Sequence, residues 1–211
     1  PLTSANRPEF PLLPQPALQL ATSGAGSQRL LQCLRRLPDN GQAHRAMLRI
    51  ANAYAADADP WIVGYSGGKD STALLKLVFQ GLLRSPRHHK SVTVIYCDTG
   101  VEIPVASSLA KAVLRDIRAE ALRYSLPIRT AVLSPPLSQR FFVKVLGRGY
   151  PPPTDKFRWC TDRLRINPVS AFLKNAQATG ATVLLGVRES ESATRKHTLK
   201  ENASDNRYWR T

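Results

Sequence analysis

The chain is short of acids. Its 211 residues include 15 Asp+Glu against 30 Lys+Arg, a formal net charge of +15. A nucleotide pocket uses only a few cations, so most of this excess is expected to serve a polyanion. Nucleic acid is the natural partner, because its phosphates attract such a surface before any base is read. A basic surface that serves only solubility is the other reading. Cysteine is scarce too. Cys33, Cys97 and Cys160 stand far apart with no CxxC, which excludes a disulfide framework and a local zinc site. Long apolar runs are missing: nothing approaches the ~20 residues of a membrane span, and no basic segment followed by an apolar run opens the chain. The expectation is a cytoplasmic protein without a membrane partner. Starting at Pro1 rather than Met, the sequence reads as a processed or trimmed chain. Its length suits one well-buried core and is short for two.

Residues 1–27 are rich in Pro, Ser, Ala and Gly and read as an extended arm or linker. Residues 28–211 read as a single domain. A short basic helix is expected over Gln28–Leu37, and Asn40 is placed to cap a helix with Met47, Ile50, Ala51 and Tyr54 on one face. Apolar strands are expected at Trp61–Tyr65, Ser91–Cys97, Ile128–Leu133 and Thr182–Val187. Helices are expected at 70–84, at 104–125 with Leu109, Val113 and Ile117 as its inner stripe, at 137–146 and at about 161–177. Residues 147–160 form a Gly/Pro/aromatic loop. Strands alternating with helices predict an α/β fold with a mostly parallel sheet covered on both faces, and ligands at the carboxyl ends of the strands.

Three strings occupy those ends. Ser66-Gly67-Gly68-Lys69-Asp70-Ser71 joins a strand to a helix. Such a turn aims backbone N–H groups at one point, at the positive end of the helix dipole, and favours a phosphate. Two glycines let the backbone approach, Ser66, Ser71 and Thr72 offer hydroxyls, and Lys69 adds a full charge. The lysine follows two adjacent glycines, so this is not GxxxxGK[ST]. A Gly-Gly turn that binds nothing is the plainer alternative. Asp98-Thr99-Gly100 follows the second strand, where Asp98 could hold Mg²⁺ facing a polyphosphate or simply cap local amides. Phe157-Arg158-Trp159-Cys160-Thr161-Asp162-Arg163-Leu164-Arg165 combines three arginines with two aromatic rings, suited to an anionic ligand that stacks, although Phe157 and Trp159 are equally good core residues. In Gly186-Val187-Arg188-Glu189-Ser190, Arg188 could reach an α-phosphate or an acceptor, or form a surface ion pair. The basic clusters at Arg84–Lys90 and Arg195-Lys196-His197 are candidates for DNA contact.

SGGKDS resembles the signature of the PP-loop ATP pyrophosphatases, which cleave ATP between the α- and β-phosphates. With DTGVEIP and an Arg/Cys-bearing helix, the chain is similar to the phosphoadenosine-phosphosulfate reductase branch. GRGYPPP at 147–153, FRWCTDRLR and LLGVRESESATR make it resemble the DndC and SspD types of bacterial DNA phosphorothioation systems, a defence-linked modification that replaces a backbone oxygen by sulfur. The resemblance covers about residues 45–196. It implies a HUP-like sandwich, phosphate contacts from Ser66, Gly67, Gly68, Lys69, Asp70 and Ser71, the family's DTG aspartate at Asp98, its WCT cysteine at Cys160, and basic positions at Arg163 and Arg188. It also implies ATP and Mg²⁺ (held near Asp98 or Asp70), DNA, a cysteine desulfurase and other phosphorothioation subunits as partners. The related iron–sulfur cluster ordinarily takes thiolate ligands, and three scattered cysteines do not supply a local set. The sequence stops at Thr211, soon after GVRES, where the family usually continues.

The reaction so implied is attack of a DNA phosphate oxygen on the α-phosphorus, departure of pyrophosphate, then displacement of AMP by sulfur, relayed through Cys160 or not. Cys160 could equally be a small buried apolar residue. The rival readings are a phosphosulfate reductase and a nucleotide-sensing DNA-binding subunit that does no chemistry.

Overall fold

The computed structural model describes residues 41–85, 90–175 and 180–186. The arm over 1–27, the helix expected over Gln28–Leu37, the Asn40 cap, Cys33, Arg188 and the cluster at Arg195-Lys196-His197 lie outside the described residues.

Among the described residues, four parallel strands form one sheet: β1 (Trp61–Gly64), β2 (Val92–Cys97), β3 (Ile128–Leu133) and β4 (Thr182–Leu185), in the order β3-β2-β1-β4. Trp61 lies opposite Val92 on one side and Thr182 on the other. The apolar run of β1 is buried on both faces, as a central parallel strand requires. Side chains alternate in direction: Trp61, Val63 and Tyr65 join the larger core with Val92, Val94 and Tyr96, whereas Ile62 and Ile95 face the opposite way.

On the first face lie α1 (Gly41–Ala56), α2 (Lys69–Arg84) and α3 (Pro104–Arg123). Met47 and Tyr54 of α1 are buried, and Ile50 packs against the core, on the stripe expected from spacing. Helix α2 buries Ser71, Leu75, Val78, Phe79 and Leu82, the i, i+4, i+7, i+8 pattern of an amphipathic helix. The stripe of α3 differs from the one expected: Ala110, Val113, Leu114, Ile117 and Ala121 face the sheet, and Leu109 is 51% exposed. At 100° per residue Leu109 falls at the edge of that face, and two alanines let the helix lie close to the strands.

The second face is covered by α4 (Asn167–Asn175), whose Val169, Phe172 and Leu173 pack on Ile62, Ile95 and Ala181. The chain leading to it is less regular than periodicity suggests. Leu137–Gln139 is a single 3₁₀ turn, and Val143–Gly147 and Asp162–Ile166 are π-helical. The helix expected from residue 161 begins at Trp159. Pro168 has no N–H to donate to the turn before it, a local reason for the widened turn over Asp162–Ile166. Trp159 is a core residue here: it stacks on Phe141 with centroids 5.7 Å apart, meets Tyr150 edge-on, and donates from Nε1 to the Pro151 carbonyl at 3.1 Å. Phe157 is exposed.

Lys90 itself is a correction to the Arg84–Lys90 cluster expected to contact DNA, because it is buried. Its side chain is 1% exposed and its Nζ is 2.7 Å from Asp57 Oδ1, over the rings of Trp61 and Tyr54 at 4.6 and 5.1 Å. The Tyr54 hydroxyl donates to the Lys90 carbonyl at 2.6 Å, and burial pushes that phenol up. Lys90 therefore ties α1 to the start of β2, while residues 86–89 lie outside the described set. Asp57→Asn should leave a buried ammonium without its counter-charge. The expected loss is on the order of 2 kcal/mol in the urea midpoint, less than the ~3–5 kcal/mol of a fully buried pair because water reaches Asp57. Lys90→Met should cost clearly less, and equal losses would mean that the pair contributes only packing.

Candidate nucleotide site

Strand β1 feeds α2 on the first face, and β4 returns to the other side of β1 after the chain has crossed the sheet. The carboxyl end of β1 is therefore where the strand order reverses, the crevice in which open parallel sheets bind ligands. The Ser66–Ser71 turn occupies it.

Gly67 adopts φ +78, a left-handed conformation, and its α-carbon side faces Ala110 of α3. Gly68, extended at φ −81, caps α2 with no side-chain hydrogen bond. The N-cap position thus offers the first turn of α2 no side-chain acceptor. The hydroxyls expected to meet phosphate build the turn instead. Ser71 Oγ and Thr72 Oγ1 both donate to the Gly68 carbonyl, at 2.9 and 2.8 Å. Ser71 Oγ lies 3.1 Å from Ser66 Oγ and accepts the Ser66 N–H at 3.3 Å. Ser66 Oγ in turn accepts the Gly68 N–H at 3.4 Å. Thr72 also hydrogen-bonds Tyr65, whose phenol is pushed up by burial. Lys69 is exposed, and no carboxylate among the described residues pairs with it. Asp70 is half-buried at the same turn.

Gly186 carries no chemistry that a sequence motif would mark, yet it is a structural key. A Cβ there would lie 2.6 Å from the Asp70 carbonyl carbon and 2.8 Å from the Ser71 nitrogen. The end of β4 is packed backbone to backbone on the first turn of α2. This delivers the chain to the turn two residues before Arg188, which itself lies outside the described residues.

At the end of β2, Asp98 Oδ2 is 2.6 Å from Lys111 Nζ, and Oδ1 accepts the Gly100 N–H at 3.2 Å. The amide-capping role is thus present, together with an ion pair that sequence spacing did not suggest. Thr99 is buried and donates from its hydroxyl to Glu102 at 2.6 Å. Burial pushes the Tyr96 phenol up, with a hydrogen bond from Ser107 opposing it. The Cys97 thiol is also pushed up by burial, partly offset by Arg165.

The remaining candidates sit on the Trp159 segment. Cys160 is half-buried beside Trp159. Arg163 donates from Nη1 to Gln139 Oε1 at 2.9 Å and lies over the Tyr150 ring. An open cleft of about 450 Å³ is lined by Lys156, Phe157, Arg158, Trp159, Thr161 and Asp162.

No three potential ligands among His, Cys, Asp and Glu cluster among the described residues. Mg²⁺ does not need such a cage, since one or two carboxylates with phosphate oxygens and water suffice; of the two carboxylates expected to hold it, Asp98 is engaged by Lys111 and the Gly100 amide, and Asp70 stands at the turn. Cys97 and Cys160 alone do not make an iron–sulfur ligand set. No helix among the described residues is long and apolar enough to cross a membrane.

Residues 60–207 match the family model described as the phosphoadenosine phosphosulfate reductase domain. An uncharacterized protein of Methanocaldococcus jannaschii is 26% identical over 146 residues, which are 69% of this chain and 26% of that protein. The chain thus spans about a quarter of the length of the curated relative it matches. The four-stranded parallel sheet with helices on both faces agrees with the HUP-like architecture of that domain, whose members are enzymes acting on nucleotides. The chain belongs to the phosphoadenosine phosphosulfate reductase domain family.

Proposed function

We propose that this chain binds ATP at the Ser66–Thr72 turn and cleaves it between the α- and β-phosphates, placing AMP on a DNA backbone phosphate as the activating step of phosphorothioate modification. The observation that carries the ATP reading is the turn itself: a helix whose N-cap is a glycine, and a Lys69 with which no carboxylate among the described residues pairs, at the point where the strand order reverses. Lys69 and the first-turn amides of α2 hold the β- and γ-phosphates and stabilise the charge that gathers on departing pyrophosphate, an effect of positioning and electrostatics. The SGGKDS string supports full ATP over a nucleotide lacking a triphosphate. Asp98 and Asp70 would hold Mg²⁺ against the phosphates, where the ion supplies further charge neutralisation.

The acceptor in this reading is a DNA backbone phosphate. That choice rests on the net charge of +15 and on the GRGYPPP and FRWCTDRLR strings. An acceptor phosphate oxygen attacks the α-phosphorus and pyrophosphate leaves. The terminal sulfur of a persulfide, delivered by a cysteine desulfurase and relayed by Cys160, then displaces AMP, and a second thiol opens the resulting S–S bond.

The family match favours a second reading, a sulfonucleotide reductase-like enzyme, and a nucleotide-sensing DNA-binding subunit is a third. Phosphorus NMR with MgATP, with and without DNA, separates them. AMP and pyrophosphate are expected. ADP and phosphate would overturn α,β-cleavage. Bound ATP without turnover in either condition would point to the sensor, and sulfite release from a sulfonucleotide and thiol would point to the reductase.

A further inference from the structure

We infer that Lys144 and Arg163, gathered around the ring of Tyr150, form a second anion site, specific for a tetrahedral oxyanion of the phosphate or sulfate class. Lys144 is only 4% exposed. Its Nζ sits 4.6 Å from the Tyr150 ring centroid, and among the described residues it has neither a carboxylate nor a hydrogen-bond acceptor. The side chain is covered, but its Nζ, held over the face of a tyrosine, still reaches the solvent from which an anion would enter. A second cation shares that ring: the Arg163 guanidinium lies 5.9 Å from the same centroid. Two cations around one ring repel each other unless an anion joins them.

The backbone is built to bring them together. Lys144 and Arg163 each lie on a π-helical turn, Val143–Gly147 and Asp162–Ile166, an irregularity frequent at functional sites. The Tyr150 N–H donates to the Lys144 carbonyl at 3.0 Å and folds the tyrosine back over the lysine. Arg163 commits Nη1 to Gln139, which leaves its other N–H groups for a ligand. From Leu137 to Asn175 the chain carries eight Lys/Arg and two Asp, and neither Asp155 nor Asp162 pairs with Lys144 or Arg163. A guanidinium fork and an ammonium on one tyrosine ring supply the two kinds of donor that phosphate or sulfate oxygens accept. A nucleotide and a nucleic-acid backbone both present that group.

This site uses none of the Ser66–Thr72 turn and stands whether or not ATP is cleaved. Its test is a titration of inorganic phosphate into the full chain, followed by phosphorus NMR line width, in a Lys69→Ala background so that the turn does not contribute. Saturable binding is expected, weakened at least tenfold by Lys144→Met. Arg163→Gln gives an independent variant should Lys144→Met fail to fold. No saturable binding, or binding that neither variant weakens, overturns the inference, including the case in which another carboxylate of the chain already fills the site. Two arms then identify the source, using Lys144→Met with Lys69 intact. Weaker single-stranded oligonucleotide binding with ATP affinity unchanged assigns the site to a nucleic-acid backbone, and the reverse assigns it to a nucleotide. Loss of neither overturns it. A protein that releases no pyrophosphate leaves the phosphate titration as it is, so failure of the ATP reading and of this one are separable.

Discussion

Gly186→Ala should destabilise the protein by about 2–4 kcal/mol and weaken ATP binding far more than its distance from any charged group suggests. The added methyl would stand 2.6 Å from the Asp70 carbonyl carbon and 2.8 Å from the Ser71 nitrogen. Both are main-chain atoms of the first turn of α2, with no side-chain tip to swing away. Relief requires β4 to move off α2, and the amides that would hold phosphate move with it. Gly64 supplies the contrast. A Cβ there meets Leu185 Cδ2 at 2.5 Å, the far end of a side chain that is half exposed and free to rotate. Gly64→Ala should therefore cost clearly less. Urea denaturation and calorimetric titration of ATP measure both quantities. A Gly186→Ala protein with the wild-type midpoint would mean that the end of β4 does not rest on the turn.

That contact is also one that no local sequence pattern announces. Strand and helix positions followed from apolar runs and spacing because burial imposes a period the sequence must carry: Ile128–Leu133 coincides with β3, and α2 begins one residue earlier than expected. The strand–turn–helix geometry at Ser66–Ser71 is legible because two glycines and a lysine between strand and helix leave few conformations. Long-range partners left no such trace. Nothing near Lys90 in the sequence announces Asp57, 33 residues away, and a lysine in a run of cations reads as surface until its partner is known. The Asp98–Lys111 pair spans a turn and two helical turns, which no short motif records. The hydroxyls of Ser71 and Thr72 were expected to face the ligand, but a side chain one turn into a helix reaches back to a carbonyl as readily as outward, and both bond to Gly68. The π-helical turns were invisible to a periodicity of 3.6, which assumes the regular helix they interrupt.

Lys69→Ala should lower the rate of pyrophosphate release by about 10²–10³, the usual effect of removing one donor aimed at charge that develops in a transition state. Lys69 is suited to this role by what it lacks: no carboxylate among the described residues pairs with it, so its charge is not neutralised before substrate arrives. The same exposure means that the fold does not depend on it, and the urea midpoint should stay within about 0.5 kcal/mol of wild type. This pairing of outcomes separates Lys69 from Gly186, where stability and binding fall together. Lys69→Arg tests the geometry. A planar guanidinium keeps the charge but presents it through a wider fork, so partial recovery is expected if charge dominates and none if the compact ammonium must enter between phosphate oxygens. Nucleotide affinity locates the effect further. If Lys69 acts on the departing pyrophosphate, turnover falls more than ATP binding does, because an interaction that strengthens only as charge builds contributes little to the ground state. An equal fall in both would make Lys69 a uniform binder of the polyphosphate and would shift the catalytic role to the amides of α2 and the metal.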